Sequence, residues 1–299
     1  MGEIGRLLTA MITPFDSQGQ VDYDQARRLA VALVDSGSDG LVVTGTTGES
    51  PALSHEEKVR LWREVKTAVG DRASVVAGAG TYSTAESIEL AHEAESAGAD
   101  GVLLVVPYYN KPPQEGLYQH FKAIAESTRL PCILYNVPSR TSLNMAAETT
   151  IRLSQVPNIV GVKEASGDLD QIAKIISGAR KGFLVWSGND NDTFAMMCLG
   201  GYGVVSVASH LLGRQIKGMM ELVVKGRLAE AAKEHHRMMP MFKGLFVVSN
   251  PIPVKYCVNL SGWRVGKPRL PLTEPDDKSA AFLQGLMKEY KVDLPVPVK

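Results

Sequence analysis

The sequence predicts a (β/α)8 barrel, the TIM-type α/β fold, followed by a small C-terminal helical appendage. Three observations carry this. Eight short apolar, β-branched runs recur along the first two-thirds of the chain, and amphipathic segments separate them. The units repeat at roughly 30 residues, which suits a barrel of about 250 residues. Polar and glycine residues gather just past the ends of the runs, where such barrels carry their chemistry. A doubly wound open sheet is the competing arrangement, and eight near-uniform units favour closure.

The runs are Leu7 to Ile12, Gly40 to Thr44, Ser74 to Gly78, Gly101 to Val106, Cys132 to Tyr135, Ile159 to Lys163, Phe183 to Ser187 and Gly203 to Val207. Each is apolar without strict alternation, as strands buried on both faces are. After the first run, Ala26, Leu29, Ala30, Leu33 and Val34 recur at the spacing of one helical face. Ser54 with Glu57, and Ser83 with Glu86, have the spacing of capping boxes that open the next two helices. From about Gly226 the strand pattern stops, and helices are expected over 227–246, 254–260 and 279–290. The division is therefore a catalytic barrel over 1–225 and a helical region over 226–299, with no flexible linker between them.

Composition narrows the function classes. Thirty-two basic residues balance thirty-two acidic ones, and no Lys/Arg block stands out, which argues against a nucleic-acid or polybasic membrane surface. No apolar run approaches membrane-spanning length, and the N-terminal stretch 1–6 lacks a signal-peptide pattern. Cys132, Cys198 and Cys257 are odd in number, widely spaced and set among apolar residues, as small buried residues of a reducing compartment would be. A cytoplasmic protein is expected. None of the six histidines has zinc-site spacing, so a metal-free mechanism is expected. His235 and His236 face different directions on one helix, and Met238, Met239 and Met241 beside them read as core or interface filling. Gly78-Ala79-Gly80 is only a fragment of a dinucleotide fingerprint.

Lys163 ends the sixth run, so a rigid strand carries its amine into a place short of water. Desolvation and nearby cations free the neutral amine that attacks a ketone. The alternative is a lysine that turns to solvent or pairs with Glu164. Tyr135 ends the neighbouring run and suggests a proton carrier beside an imine-forming amine. The loop Gly45-Thr46-Thr47-Gly48-Glu49-Ser50 can turn its N–H groups inward as a nest for a carboxylate, or serve as a plain βα turn. Arg140, in the loop after Tyr135, is either a bidentate clamp for a second carboxylate or a surface arginine.

These stretches, with Pro107-Tyr108-Tyr109-Asn110, Tyr135-Asn136-Val137-Pro138-Ser139-Arg140-Thr141, Gly161-Val162-Lys163-Glu164-Ala165, Ser187-Gly188 and Asn250-Pro251-Ile252-Pro253-Val254-Lys255, resemble the dihydrodipicolinate synthases. That family belongs to the pyruvate-dependent class I aldolases, which include N-acetylneuraminate lyase. The resemblance runs in order over almost the whole chain, and the separation of Tyr135 and Lys163 is also the family's. It implies a lyase that condenses pyruvate with L-aspartate 4-semialdehyde to give 4-hydroxy-tetrahydrodipicolinate, the first committed step of diaminopimelate and lysine biosynthesis. No cofactor is implied.

The resemblance also implies roles. Lys163 forms a Schiff base with pyruvate, Thr46 and Thr47 hold its carboxylate, and Tyr135, Thr46 and Tyr109 relay protons. Tyr109 reaches the neighbouring subunit's site across a tight dimer interface, within a homotetramer built as a dimer of tight dimers. Arg140 receives the carboxylate of the semialdehyde, while Gly188 and Val205 line the pocket near the imine. Arg140 separates this reading from a sister sialic-acid or keto-sugar-acid lyase, whose acceptor needs hydroxyl partners instead. A non-catalytic sensor on the same barrel is the more distant alternative. Lysine-inhibited members bind lysine at the dimer interface, and Ser50, His55, Glu86 and Tyr108 stand at corresponding positions here. Lys58 replaces a histidine and Tyr82 an asparagine common in the sensitive members, so weak or absent lysine inhibition is expected.

Overall fold

In a computed structural model, which describes residues 4–296, eight parallel strands close in sequence order into one barrel, the last pairing with the first. Residues 1–3 of the N-terminal stretch read above lie outside the described residues. The strands are β1 (Leu7–Ala10), β2 (Gly40–Val43), β3 (Ser74–Gly78), β4 (Gly101–Val105), β5 (Cys132–Asn136), β6 (Ile159–Glu164), β7 (Leu184–Ser187) and β8 (Gly203–Ser206). Around them run α1 (Tyr23–Asp35), α2 (His55–Val69), α3 (Thr84–Ser96), α4 (Gln114–Ser127), α5 (Pro138–Thr141), α6 (Ala147–Leu153), α7 (Leu169–Gly178), α8 (Thr193–Cys198) and α9 (Ser209–Val224). The appended helices are α10 (Leu228–Gly244), α11 (Ile252–Leu260) and α12 (Asp277–Lys288).

All eight expected strands form, with shifted ends that have local causes. β2 stops before Thr44, whose left-handed backbone (φ 58°) turns the chain off the sheet. β1, β4 and β8 likewise end one or two residues earlier than expected, and β7 starts after Phe183. β5 and β6 each extend one residue further, because Asn136 pairs with Glu164 in the ladder. The helix expected over 227–246 is α10, with Arg227 as its N-cap; α11 starts earlier, at Ile252. α12 starts at Asp277 because the Asp276 carboxylate accepts from the Ser279 N–H at 2.7 Å.

Ser54 and Glu57 make both arms of a capping box. At α3 only one arm forms. Ser83 accepts from the Glu86 N–H, but the Glu86 carboxylate is drawn to the Thr81 hydroxyl at 3.1 Å. The reading of three buried cysteines also needs correction. Cys132 and Cys257 are buried, whereas Cys198, the last residue of the short α8, is exposed.

Two apolar layers share the strands. Leu8, Val42, Val76, Leu103, Ile133, Trp186 and Val205 fill the barrel interior. Leu7, Leu41, Val75, Val102, Leu134 and Val162 face the helices in a second, larger cluster. Phe242, Val258, Trp263 and Leu283 of the C-terminal region belong to that larger cluster, so the appendage shares the barrel's outer core.

Gly161 shows how tightly the interior is filled. A Cβ there would lie 2.2 Å from the Leu184 carbonyl oxygen and 2.6 Å from the Trp186 ring. Gly161→Ala is therefore expected to destabilise the barrel by about 1–3 kcal/mol through overpacking. Urea unfolding at neutral pH checks this, and an unchanged midpoint would contradict it.

Candidate active site

The ladder between β5 and β6 places Tyr135 opposite Lys163. Both side chains are buried, and the Lys163 Nζ lies 4.0 Å from the centre of the Tyr135 ring. The aromatic face can support a positive charge on that nitrogen. Glu164 points the other way, as strand alternation requires. Its carboxylate accepts from Asn136 Nδ2 at 3.0 and 3.1 Å, from the Ser166 N–H at 2.8 Å and from Gln171 Nε2 at 3.3 Å. Burial pushes the Glu164 carboxyl up, while these hydrogen bonds pull it down. Pairing of Lys163 with its neighbour, the bland alternative for that lysine, is thereby removed.

A cavity of about 240 Å³ opens beside Tyr135 and is lined also by Gly45, Thr46, Ser50, Tyr108 and Arg140. Thr46 and Thr47 follow β2, and Thr47 is buried with its Oγ1 accepting from Asn250 Nδ2 at 2.9 Å. Arg140 sits on the single turn α5 and donates to the Asn250 carbonyl at 3.1 Å. The two groups expected to receive carboxylates are thus tied to one residue of the C-terminal region. Gly188 follows β7 and donates its N–H to the Glu164 carbonyl at 2.7 Å. A Cβ at Gly188 would lie 2.6 Å from Ala165 Cβ, so only glycine fits without displacement. Val205 lies in the same interior cluster as Tyr135.

Tyr109 is set apart. Its backbone is left-handed (φ 73°) and its side chain is 93% exposed. Within one chain it does not join Lys163 and Tyr135.

The residues read as a regulatory set largely meet. Tyr82 and Tyr108 pack edge to face at 5.3 Å, and Ser50 and Tyr108 both line the cavity. Burial lowers the Lys58 ammonium, opposed by the nearby Glu86 carboxylate. Burial raises the Tyr108 hydroxyl, with Tyr82 and Glu86 adding to the effect. His55 is engaged elsewhere, its Nε2 meeting the Glu93 carboxylate on α3.

Several residues escaped the sequence reading. Asp190, just beyond β7, is buried and accepts from the Val207 and Ala208 N–H groups at 3.1 and 3.0 Å and from the Ser206 hydroxyl. Burial raises its carboxyl, whereas those bonds and the Lys163 charge lower it. Glu49 and Lys255 form an ion pair at 2.7 Å with both side chains 1% exposed. Burial lowers the Lys255 ammonium to about 8 against the pull of Glu49. A lysine within the apolar run Ile252-Pro253-Val254 is a sequence signal for such a partner, since a buried cation needs an anion. Its position over 200 residues away has no local signal. Among the described residues, no three His, Cys, Asp or Glu side chains converge as a metal-ion group, and no helix is long and apolar enough to cross a membrane.

The chain matches the family model described as the dihydrodipicolinate synthetase family over residues 3–290. It is 60% identical to a protein of Dehalococcoides mccartyi named 4-hydroxy-tetrahydrodipicolinate synthase, over 99% of this chain and 100% of that one. A solved structure of the synthase from Cyanidioschyzon merolae with lysine bound is 48% identical, with a TM-score of 0.94 over 96% of this chain and 98% of that one. The chloride-inhibited dihydrodipicolinate synthase of Acinetobacter baumannii, solved in complex with pyruvate, is 37% identical, with a TM-score of 0.93 over 96% and 99%.

Proposed function

We propose that this chain, which belongs to the dihydrodipicolinate synthetase family, condenses pyruvate with L-aspartate 4-semialdehyde to give 4-hydroxy-tetrahydrodipicolinate. The observation that carries the reading is the buried Lys163 amine against the Tyr135 ring, with Arg140 lining the adjoining cavity. Lys163 attacks the ketone of pyruvate, water leaves, and the resulting cationic imine acidifies the methyl protons by offering an electron sink. Thr46 and Thr47 hold the pyruvate carboxylate. Tyr135 carries protons through enamine formation and addition to the aldehyde, in relay with Thr46 and a neighbouring subunit's tyrosine equivalent to Tyr109. The aldehyde substrate's own amine then attacks the imine carbon, closes the ring and releases Lys163. Arg140 clamps the second carboxylate, and Gly188 and Val205 close the pocket around the imine. This tyrosine relay requires at least a dimer, and a homotetramer in the cytoplasm is our reading of the assembly.

Turnover of pyruvate by the purified protein tests the reading, with the semialdehyde and N-acetylmannosamine as separate acceptors. Consumption with the semialdehyde alone supports it. Consumption with the sugar alone would make the protein a sister lyase and Arg140 a misleading cue.

For regulation we propose weak or absent inhibition by lysine. The Lys58 cation beside Glu86 repels an incoming ammonium and offsets the carboxylate that would attract it. Tyr82, packed on Tyr108, offers no amide to a ligand. Activity falling by half at sub-millimolar lysine would overturn this.

A further inference from the structure

Glu49 belongs to the loop that carries Thr46 and Thr47, but its carboxylate is engaged outside that loop. One oxygen accepts from Lys255 Nζ on α11 at 2.7 Å, the other from the Arg269 N–H at 2.8 Å. The Arg269 guanidinium grips Glu57 of α2 at 2.6 and 2.7 Å, and the Phe15 ring lies under both cations.

The loop needs such restraint. Thr44 and Glu49, one residue before and one after Gly45–Gly48, both adopt left-handed backbone with φ of 58°. For non-glycine residues this is a strained conformation, kept only where the surroundings enforce it. Trp62 Nε1 holds Thr44 through its Oγ1 at 2.8 Å. At the other end the Glu49 N–H donates to the Thr46 carbonyl at 3.1 Å, so the posture of Glu49 sets that of Thr46. A buried ion pair is a poor source of stability, because desolvation offsets the attraction and apolar residues could fasten α11 equally well. What it provides is direction.

We propose that Glu49 and Lys255 are positioning residues for pyruvate, through which α11 holds the Thr46–Thr47 loop in its carboxylate-receiving shape. The inference rests on the reading of Lys163 as the imine-forming lysine.

The test compares wild type with Glu49→Asp and with the double variant Glu49→Gln/Lys255→Met. Asp suits left-handed backbone and keeps the charge, but it is too short to reach both partners. The double variant removes both charges and leaves no unpaired ion. Borohydride trapping of the pyruvate adduct on Lys163 gives the half-saturating pyruvate concentration. It is expected to rise about tenfold in the double variant and about fivefold in Glu49→Asp, the loss of a charge-assisted restraint. The KM for semialdehyde is expected to stay within about twofold of wild type, which a general loss of structure would not allow, while saturated kcat falls by no more than about tenfold because Thr46 also serves the proton relay. Pyruvate half-saturation within twofold of wild type in Glu49→Asp, or equal losses for both substrates, would overturn the proposal. If the double variant does not fold, Glu49→Asp decides alone. Wild type that traps no pyruvate would strike at the proposed function instead.

Discussion

Lys163→Ala is expected to abolish the borohydride-trapped pyruvate adduct and to lower turnover by at least about 10⁴-fold, since loss of the proposed covalent nucleophile removes the whole route. Folding should survive. The amine is buried, and its removal takes away the cost of burying a polar group along with its contact to the Tyr135 ring. Thermal unfolding of the variant close to that of wild type would therefore assign the loss to chemistry. Lys163→Arg sharpens the test, because a guanidinium keeps the charge over the Tyr135 ring and cannot form the imine. Tyr135→Phe should behave differently, keeping the stacked ring but losing the proton carrier. A fall of about 10²–10⁴-fold is expected, with trapping slowed and still present. An adduct of undiminished yield in Lys163→Ala, located on another lysine, would move the imine elsewhere.

The division between legible and illegible residues follows the range of the interactions involved. Strands such as Cys132 to Asn136 announce themselves because both faces are buried, so their apolar character is written in consecutive residues. Lys163 and Tyr135 were legible for the same reason, as polar groups terminating apolar runs. Thr46, Thr47 and Arg140 depended on motif resemblance, since a threonine or arginine in a loop has no periodic signal. Strand ends shifted where a single backbone angle decided them, as at Thr44. The partial capping at Ser83 failed for a comparable reason, because the Thr81 hydroxyl competes for Glu86. Least legible were contacts between distant segments: Asn250 with Thr47, Lys255 with Glu49, and Asp190 with the end of β8. Each joins residues that only closure of the barrel and docking of the C-terminal helices bring together.

His210 gives the largest expected effect on stability, and its direction follows from its partners. The ring is fully buried just beyond β8, with Nδ1 2.9 Å from the Val207 carbonyl and Nε2 3.2 Å from the Ile12 N. The Ile12 N–H must donate to Nε2, so the ring proton sits on Nδ1 and donates to Val207. Protonating Nε2 would set two donors against each other in a place without water. Burial accordingly holds the imidazole down to about 4 from its ordinary 6.5, against a small opposing effect of the Val207 carbonyl. The folded value is depressed, so the unfolded chain binds the extra proton first. The stabilisation is complete above pH 6.5, declines as pH falls, and is lost by about pH 4, a change of about 3 kcal/mol. His120, buried and also lowered to about 4, acts in the same window. Urea unfolding across that range should show His210→Gln with a shallower dependence than wild type, by up to about 1.4 kcal/mol per pH unit. Parallel curves would refute the assignment. The Val207 N–H also donates to Asp190, so the histidine and the carboxylate fasten the same end of β8 from opposite sides. Acid that charges His210 is therefore expected to loosen the wall of the candidate active site before the barrel as a whole gives way.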